Sequence, residues 1–126
     1  MKEILLMGDK RRKGATFYHV YTKGLEDDVI FRNRADFVAG MNYVPVSLKK
    51  AGVDVIVFVL MSNHFHFLIY ADKPSALKFI DAYKRLISRY VRNVYGTAKL
   101  LRAVETGCSE VDMNDEALKR LIAYIL

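Results

Sequence analysis

The stretch Val53-Asp54-Val55-Ile56-Val57-Phe58-Val59-Leu60-Met61-Ser62-Asn63-His64-Phe65-His66-Phe67-Leu68-Ile69-Tyr70 decides how this chain is to be read. It holds two apolar runs, Val53 to Leu60 and His64 to Tyr70, separated only by Met61-Ser62-Asn63. Runs this short, rich in β-branched and aromatic residues, read as strands. Residues two apart on a strand share a face. Phe65, Phe67 and Ile69 therefore form the core side, and His64, His66 and Leu68 form the other. Along a strand the two histidines stand roughly 7 Å apart at the backbone. Metal–nitrogen bonds of about 2 Å would let both rings reach one ion. Two histidines leave coordination positions open for a substrate, as a catalytic ion requires. The same triplet also reads as two ordinary sheet-face histidines, and alone it does not choose between the two.

Outward from this pair the chain is punctuated clearly. Ala15 to Thr22 is a first strand, rich in β-branched and aromatic residues. From about Arg34 to Ala51 the spacing is helical, with Phe37, Val38, Met41, Val44 and Leu48 on the apolar stripe. Pro45 should kink or split this helix, and Gly52 should stop it. After Tyr70, Ser75 is the candidate N-cap of a long helix that runs to about Tyr95. Its predicted stripe is Leu77, Ile80, Ile87, Tyr90 and Val94, with Gly96 as the stop. Residues 97 to 113 hold a short strand near Leu100 to Val104, and Asn114-Asp115-Glu116 opens a last helix over Ala117 to Leu126. Strand, helix, strand, strand, helix and tail is the order of an α+β ferredoxin-like sandwich, an antiparallel sheet with helices on one face.

The length of 126 residues suits one domain spanning the whole chain, 1–126. The last helix reaches Ile125-Leu126 without a stop signal, so the natural C-terminal end is expected to be missing. With 52% hydrophobic residues the chain can bury an ordinary core. The lone Cys108 excludes an internal disulfide and points to a reducing, cytoplasmic setting. Met1 to Met7 is too short for the apolar part of a secretory signal, and Val55 to Met61 is far too short to cross a bilayer, so no membrane association is expected.

The formal net charge is +6, which favours polyanionic partners. From Lys73 to Arg102 there are eight Lys or Arg and one acid, Asp81. Lys84, Arg85, Arg89 and Arg92 share the long helix and could track DNA phosphates. Arg11, Arg12 and Lys13 add a second basic patch. Tyr83, Tyr90 and Tyr95 could stack on unpaired bases. A charged helix face is also what any solvated helix presents.

Met61-Ser62-Asn63-His64-Phe65-His66-Phe67-Leu68 resembles the histidine–hydrophobic–histidine motif of single-tyrosine HUH transposases, above all the REP-associated tyrosine transposases related to small bacterial insertion-sequence transposases. Ser62 stands where that pattern usually has proline. Tyr18 to Gly24, Ile30-Phe31, Asp36-Phe37, Ser88 to Asn93 and Leu118 to Leu126 resemble further family segments in the same order, so the resemblance covers nearly the whole chain. It implies Mg²⁺ or Mn²⁺ at His64 and His66, a homodimer, a bacterial nucleoid-associated location, and cleavage of single-stranded or hairpin DNA through a 5′-phosphotyrosine. Ala123-Tyr124-Ile125 matches the first half of the nucleophile pattern, which makes Tyr124 the implied nucleophile on the C-terminal helix, with Tyr90 as alternative. An asparagine that supplies a third ligand in the family would fall beyond residue 126.

Two other readings stand beside this one. The chain could be a transposase-derived domain that holds hairpin or single-stranded DNA without cutting it, or a metal-binding regulatory domain with no nucleic-acid role, which leaves the basic helix unexplained.

Overall fold

In the computed structural model, which describes residues 2–4, 14–22, 29–96 and 106–111 and the positions 120 and 123, seven elements follow one another. They are β1 (Lys2–Ile4), β2 (Thr16–Thr22), α1 (Arg34–Ala51), β3 (Asp54–Leu60), β4 (Phe65–Ala71), α2 (Lys73–Tyr95) and β5 (Thr106–Val111). The sheet order is β1-β3-β4-β2-β5 and every pairing is antiparallel. Without β1, the order β3-β4-β2-β5 is that of the expected ferredoxin-like sandwich; β1 adds an edge strand that the sequence reading did not contain. The strand near residues 100–104 falls outside the described residues. The strand that closes the sheet is Thr106–Val111, a TGCSEV segment of weak local pattern selected by pairing along β2. Arg120 and Ala123 are helical.

Asn33 caps α1, its Oδ1 accepting from the Asp36 backbone N–H at 3.0 Å, and Gly52 ends it in the left-handed region at φ 71°, its N–H reaching the Leu48 carbonyl. Contrary to expectation, α1 runs unbroken through Pro45. Pro45 is exposed while its neighbours Val44 and Ser47 are buried, so packing on the inner face outweighs the one lost backbone bond. The cap of α2 is Asp72 rather than Ser75: its carboxylate accepts from the Ser75 N–H at 2.8 Å. The inner faces also differ from the predicted stripes. Val38, Leu77 and Val94 are exposed, and α2 buries Ala76, Phe79, Ile80, Ala82, Tyr83, Ile87 and Val91. The true face is turned by about one residue toward small and aromatic side chains, which fill the gap against β4.

Phe65, Phe67 and Ile69 enter that core as predicted, and Phe65 and Phe67 meet the Tyr83 ring at 5.0 and 4.9 Å between centres. Gly40 lets α1 lie close to Phe31 and Leu60, since a Cβ there would lie 2.6 Å from the Phe31 ring, and its carbonyl accepts from the Tyr83 hydroxyl of α2 at 2.9 Å. A second, smaller apolar cluster of Val57, Val59, Leu68 and Val111 lies on the opposite face of the sheet. Among the described residues no helix is long and apolar enough to cross a membrane.

Candidate active site

The turn that carries the first histidine is pinned from both ends. Residues Leu60 and Phe65 pair directly, the Met61 N–H donates to the His64 carbonyl at 2.8 Å, and the Ser62 carbonyl accepts from Ile30 and Phe31. The Thr22 hydroxyl accepts from the Phe65 N–H at 3.1 Å, which ties the end of β2 to the start of β4. His64 therefore ends the turn instead of opening the strand, one residue short of the predicted boundary. It still stands beside His66, with ring centres 5.0 Å apart and planes 84° apart. His66 alternates with Phe65 and Phe67 along β4, so it projects to the side of the sheet away from α1 and α2.

The structure brings a third histidine to the pair. His19 on β2 lies next to β4, and its Nε2 is 3.0 Å from His66 Nδ1. Tyr21 shares that face, its ring 4.6 Å from His19 and 6.0 Å from His66. The Tyr21 ring lies over Gly107, where a Cβ would come within 2.2 Å of it. The sequence reading missed this grouping, although a signal was present: His19 and Tyr21 are two apart on a strand that the expected fold places beside the His66 strand.

All three imidazoles are driven toward the neutral form. Burial lowers the pKa of His19 and of His64. His66 is pushed down to about 4, first by burial and then by the nearby His19 and His64 rings. Neutral rings keep lone pairs at pH 7, which is the state that binds metal. At His64, Nδ1 lies 2.7 Å from Asn63 Oδ1; an amide oxygen only accepts, so this contact favours the tautomer with the proton on Nδ1 and the lone pair on Nε2. Two imidazoles sharing one ion at a right to tetrahedral angle have ring centres about 4.5–5.3 Å apart given metal–nitrogen bonds of about 2 Å. The separation at His64 and His66 meets that requirement. Among the described residues no group of three or more His, Cys, Asp or Glu could hold a metal ion, so an ion at His64 and His66 would need further donors from outside this pair.

Tyr90 belongs to a different neighbourhood. On the helix side of the sheet its hydroxyl donates to Asp36 Oδ1 at 2.6 Å, and its pKa is pushed up to about 12, first by that bond and then by burial. A hydroxyl so held is a poor nucleophile. Tyr124 lies outside the described residues, as do Arg11, Arg12 and Lys13. On α2, Lys84 is half-buried and donates to the Thr106 hydroxyl at 2.9 Å, Arg85 pairs with Asp81 at 3.1 Å, and Arg89 and Arg92 are exposed. These four sit across the sheet from the histidines.

No protein-family model matches this sequence, and no curated protein matches it. Solved structures do. A candidate transposase from Deinococcus radiodurans R1 is similar at 13% identity and a TM-score of 0.59, over 94% of this chain and 96% of that one. A REP-associated tyrosine transposase bound to a REP hairpin is similar at 11% identity and a TM-score of 0.56, over 94% of this chain and 70% of that one. At such identities the shared property is the fold, and it is the fold that the resemblance in the sequence implied.

Proposed function

We propose that this chain is a DNA strand transesterase of the single-tyrosine transposase kind, acting on single-stranded or hairpin DNA with His64 and His66 as ligands of Mg²⁺ or Mn²⁺ and Tyr124 as nucleophile. The observation that carries the reading is the pair of neutral imidazoles, ring centres 5.0 Å apart, on the sheet face opposite the helices. The fold is one shared with a tyrosine transposase whose structure includes a REP hairpin.

The roles follow from chemistry. Asn63 holds the His64 proton on Nδ1 and so directs the Nε2 lone pair outward. A divalent ion, when bound, would polarise the scissile phosphate and offset its growing charge. The Tyr124 hydroxyl gives up its proton to solvent and its oxygen forms a bond to phosphorus as the bond from phosphorus to the 3′-oxygen breaks. The 5′-phosphate stays on the tyrosine, and the departing oxygen takes up a proton to become a free 3′-hydroxyl. The ester stores the bond energy, so the reverse attack rejoins strands without a high-energy cofactor. Arg11, Arg12, Lys13, Lys84, Arg85, Arg89 and Arg92 supply phosphate contacts, which makes binding steeply salt-dependent. The working form in this reading is a homodimer on bacterial nucleoid DNA.

Incubation with single-stranded hairpin DNA and Mn²⁺, followed by a denaturing gel, tests this. The expected result is a covalent protein–DNA band that chelation abolishes and that Tyr124→Phe lacks. An adduct that persists in Tyr124→Phe refutes that residue as the nucleophile. A second reading is a domain that holds DNA without cutting it, favoured by the position of the exposed basic face of α2 across the sheet from the histidines. It requires DNA affinity equal in wild type and in His64→Ala/His66→Ala, with no adduct under any condition.

A further inference from the structure

We infer that His19 is a positioning residue for the metal pair: it accepts the His66 Nδ1 proton at its own Nε2 and thereby keeps the His66 lone pair on Nε2. The inference rests on the metal reading above and extends it to a residue on another strand, 47 positions away in sequence.

Only one direction of the 3.0 Å contact between His19 Nε2 and His66 Nδ1 serves metal binding. If His19 donated, His66 would carry its proton on Nε2 and present an N–H to the cation. If His66 donates, its Nε2 is the basic nitrogen, and the two ligands match: His64 gives its Nδ1 proton to Asn63, and His66 gives its Nδ1 proton to His19. Metal-bound histidines generally donate their second N–H to an acceptor that fixes ring and tautomer. Here a neutral histidine fills that place. Its ring meets that of His66 edge to edge, centres 5.2 Å apart and planes within 18°, as an in-plane N–H···N bond requires, and lies against the Tyr21 ring at 4.6 Å and 30°. Tyr21 in turn occupies the space above Gly107, where any side chain would displace it. The support for His66 thus runs across three paired strands, from β4 through β2 to β5.

Nitrogen-15 imidazole spectra of the metal-free full-length chain test this, together with Mn²⁺ titration by calorimetry. In wild type His66 should show its proton on Nδ1. In His19→Ala the proton should move at least partly to Nε2, and Mn²⁺ affinity should fall about 10–100-fold, the usual cost of losing such a partner. His19→Gln, which keeps an acceptor at that position, should recover most of both. If His19→Ala does not fold, His19→Phe keeps the stacking area while removing the acceptor, and should behave as stated for alanine. A wild-type His66 protonated on Nε2 overturns the inference. So does a His19→Ala or His19→Phe protein with the wild-type His66 tautomer. If wild type itself fails to bind Mn²⁺, the metal reading falls, and the tautomer spectra still decide the role of His19.

Discussion

Two polar clusters, each built around one buried group, Asp36 or His66, lie on opposite sides of the sheet, and they are built on opposite principles. On the helix side, the Asp36 carboxylate accepts from the Tyr90 hydroxyl at 2.6 Å, the Tyr95 hydroxyl at 2.5 Å and the Arg32 backbone N–H at 2.9 Å. The Arg32 guanidinium covers the Tyr95 ring at 4.1 Å. Burial alone would raise the Asp36 pKa, but these donors more than offset it and hold the carboxyl below its usual value. The negative charge is spent on bonds that clasp α1 to the end of α2. On the other side, three imidazoles meet edge to edge, and burial disfavours their charged forms. A saturated cluster locks a fold. A cluster of neutral imidazoles offers lone pairs instead of charge, the state in which histidine can bind a cation. This is why Tyr90, although a tyrosine near a helix end, reads as structure, and why the proposal above rests on His66.

The contrast can be broken most directly at its strongest point. Asp36→Ala removes a buried charge on which two hydroxyls and a backbone N–H converge, and should cost about 3 kcal/mol, a melting temperature drop of about 10 °C. Mn²⁺ affinity measured below that transition should be unchanged. An Asp36→Ala protein of wild-type stability would show that the helix-side network is not a lock.

Acid separates the two clusters by window. His66 has a folded pKa of about 4 against an unfolded value of about 6.5, so the unfolded chain takes up its proton first as pH falls. Stability from this source is flat above 6.5 and declines between 6.5 and 4, by about 1–2 kcal/mol after allowing for solvent screening. Asp36 is depressed instead, so its contribution is whole above the ordinary carboxylate range and is lost only below it. Urea midpoints at pH 7, 5.5 and 4.5 should fall for wild type and fall less for His66→Phe. Parallel slopes in the two proteins would mean that His66 is not held neutral by the fold.

The smallest effect sharpens the assignment of Tyr90. Tyr90→Phe should cost about 1 kcal/mol, one hydrogen bond to a charged acceptor partly replaced by the remaining donors on Asp36. Any DNA adduct should form as in wild type. Loss of the adduct with stability retained would return Tyr90 to the list of nucleophiles.

Much of this molecule is set by short-range physics and is legible in one dimension. Gly52 and Gly96 end their helices at φ 71° and 76°, and α1 spans the predicted 34–51. The alternation of Phe65, Phe67 and Ile69 against His66 and Leu68 assigned the faces of β4, because successive side chains on a strand point in opposite directions whatever surrounds them. The errors came where neighbours compete. Asp72 displaced Ser75 as cap because both are good N-cap residues and the helix starts one turn earlier, with the Ser75 N–H bonded to the Asp72 carboxylate. The buried stripe of α2 was set by the shape of β4 beneath it. The third histidine was invisible in the triplet because strand pairing, not local pattern, lays Tyr21 opposite His66 and brings His19 within 3.0 Å of it. Composition and periodicity determined the elements, their order and the side of the sheet on which the imidazoles stand, since each depends on residues a few positions apart. Which residues became neighbours across the sheet was decided only when the chain closed, because register is a property of two strands and is written in neither alone.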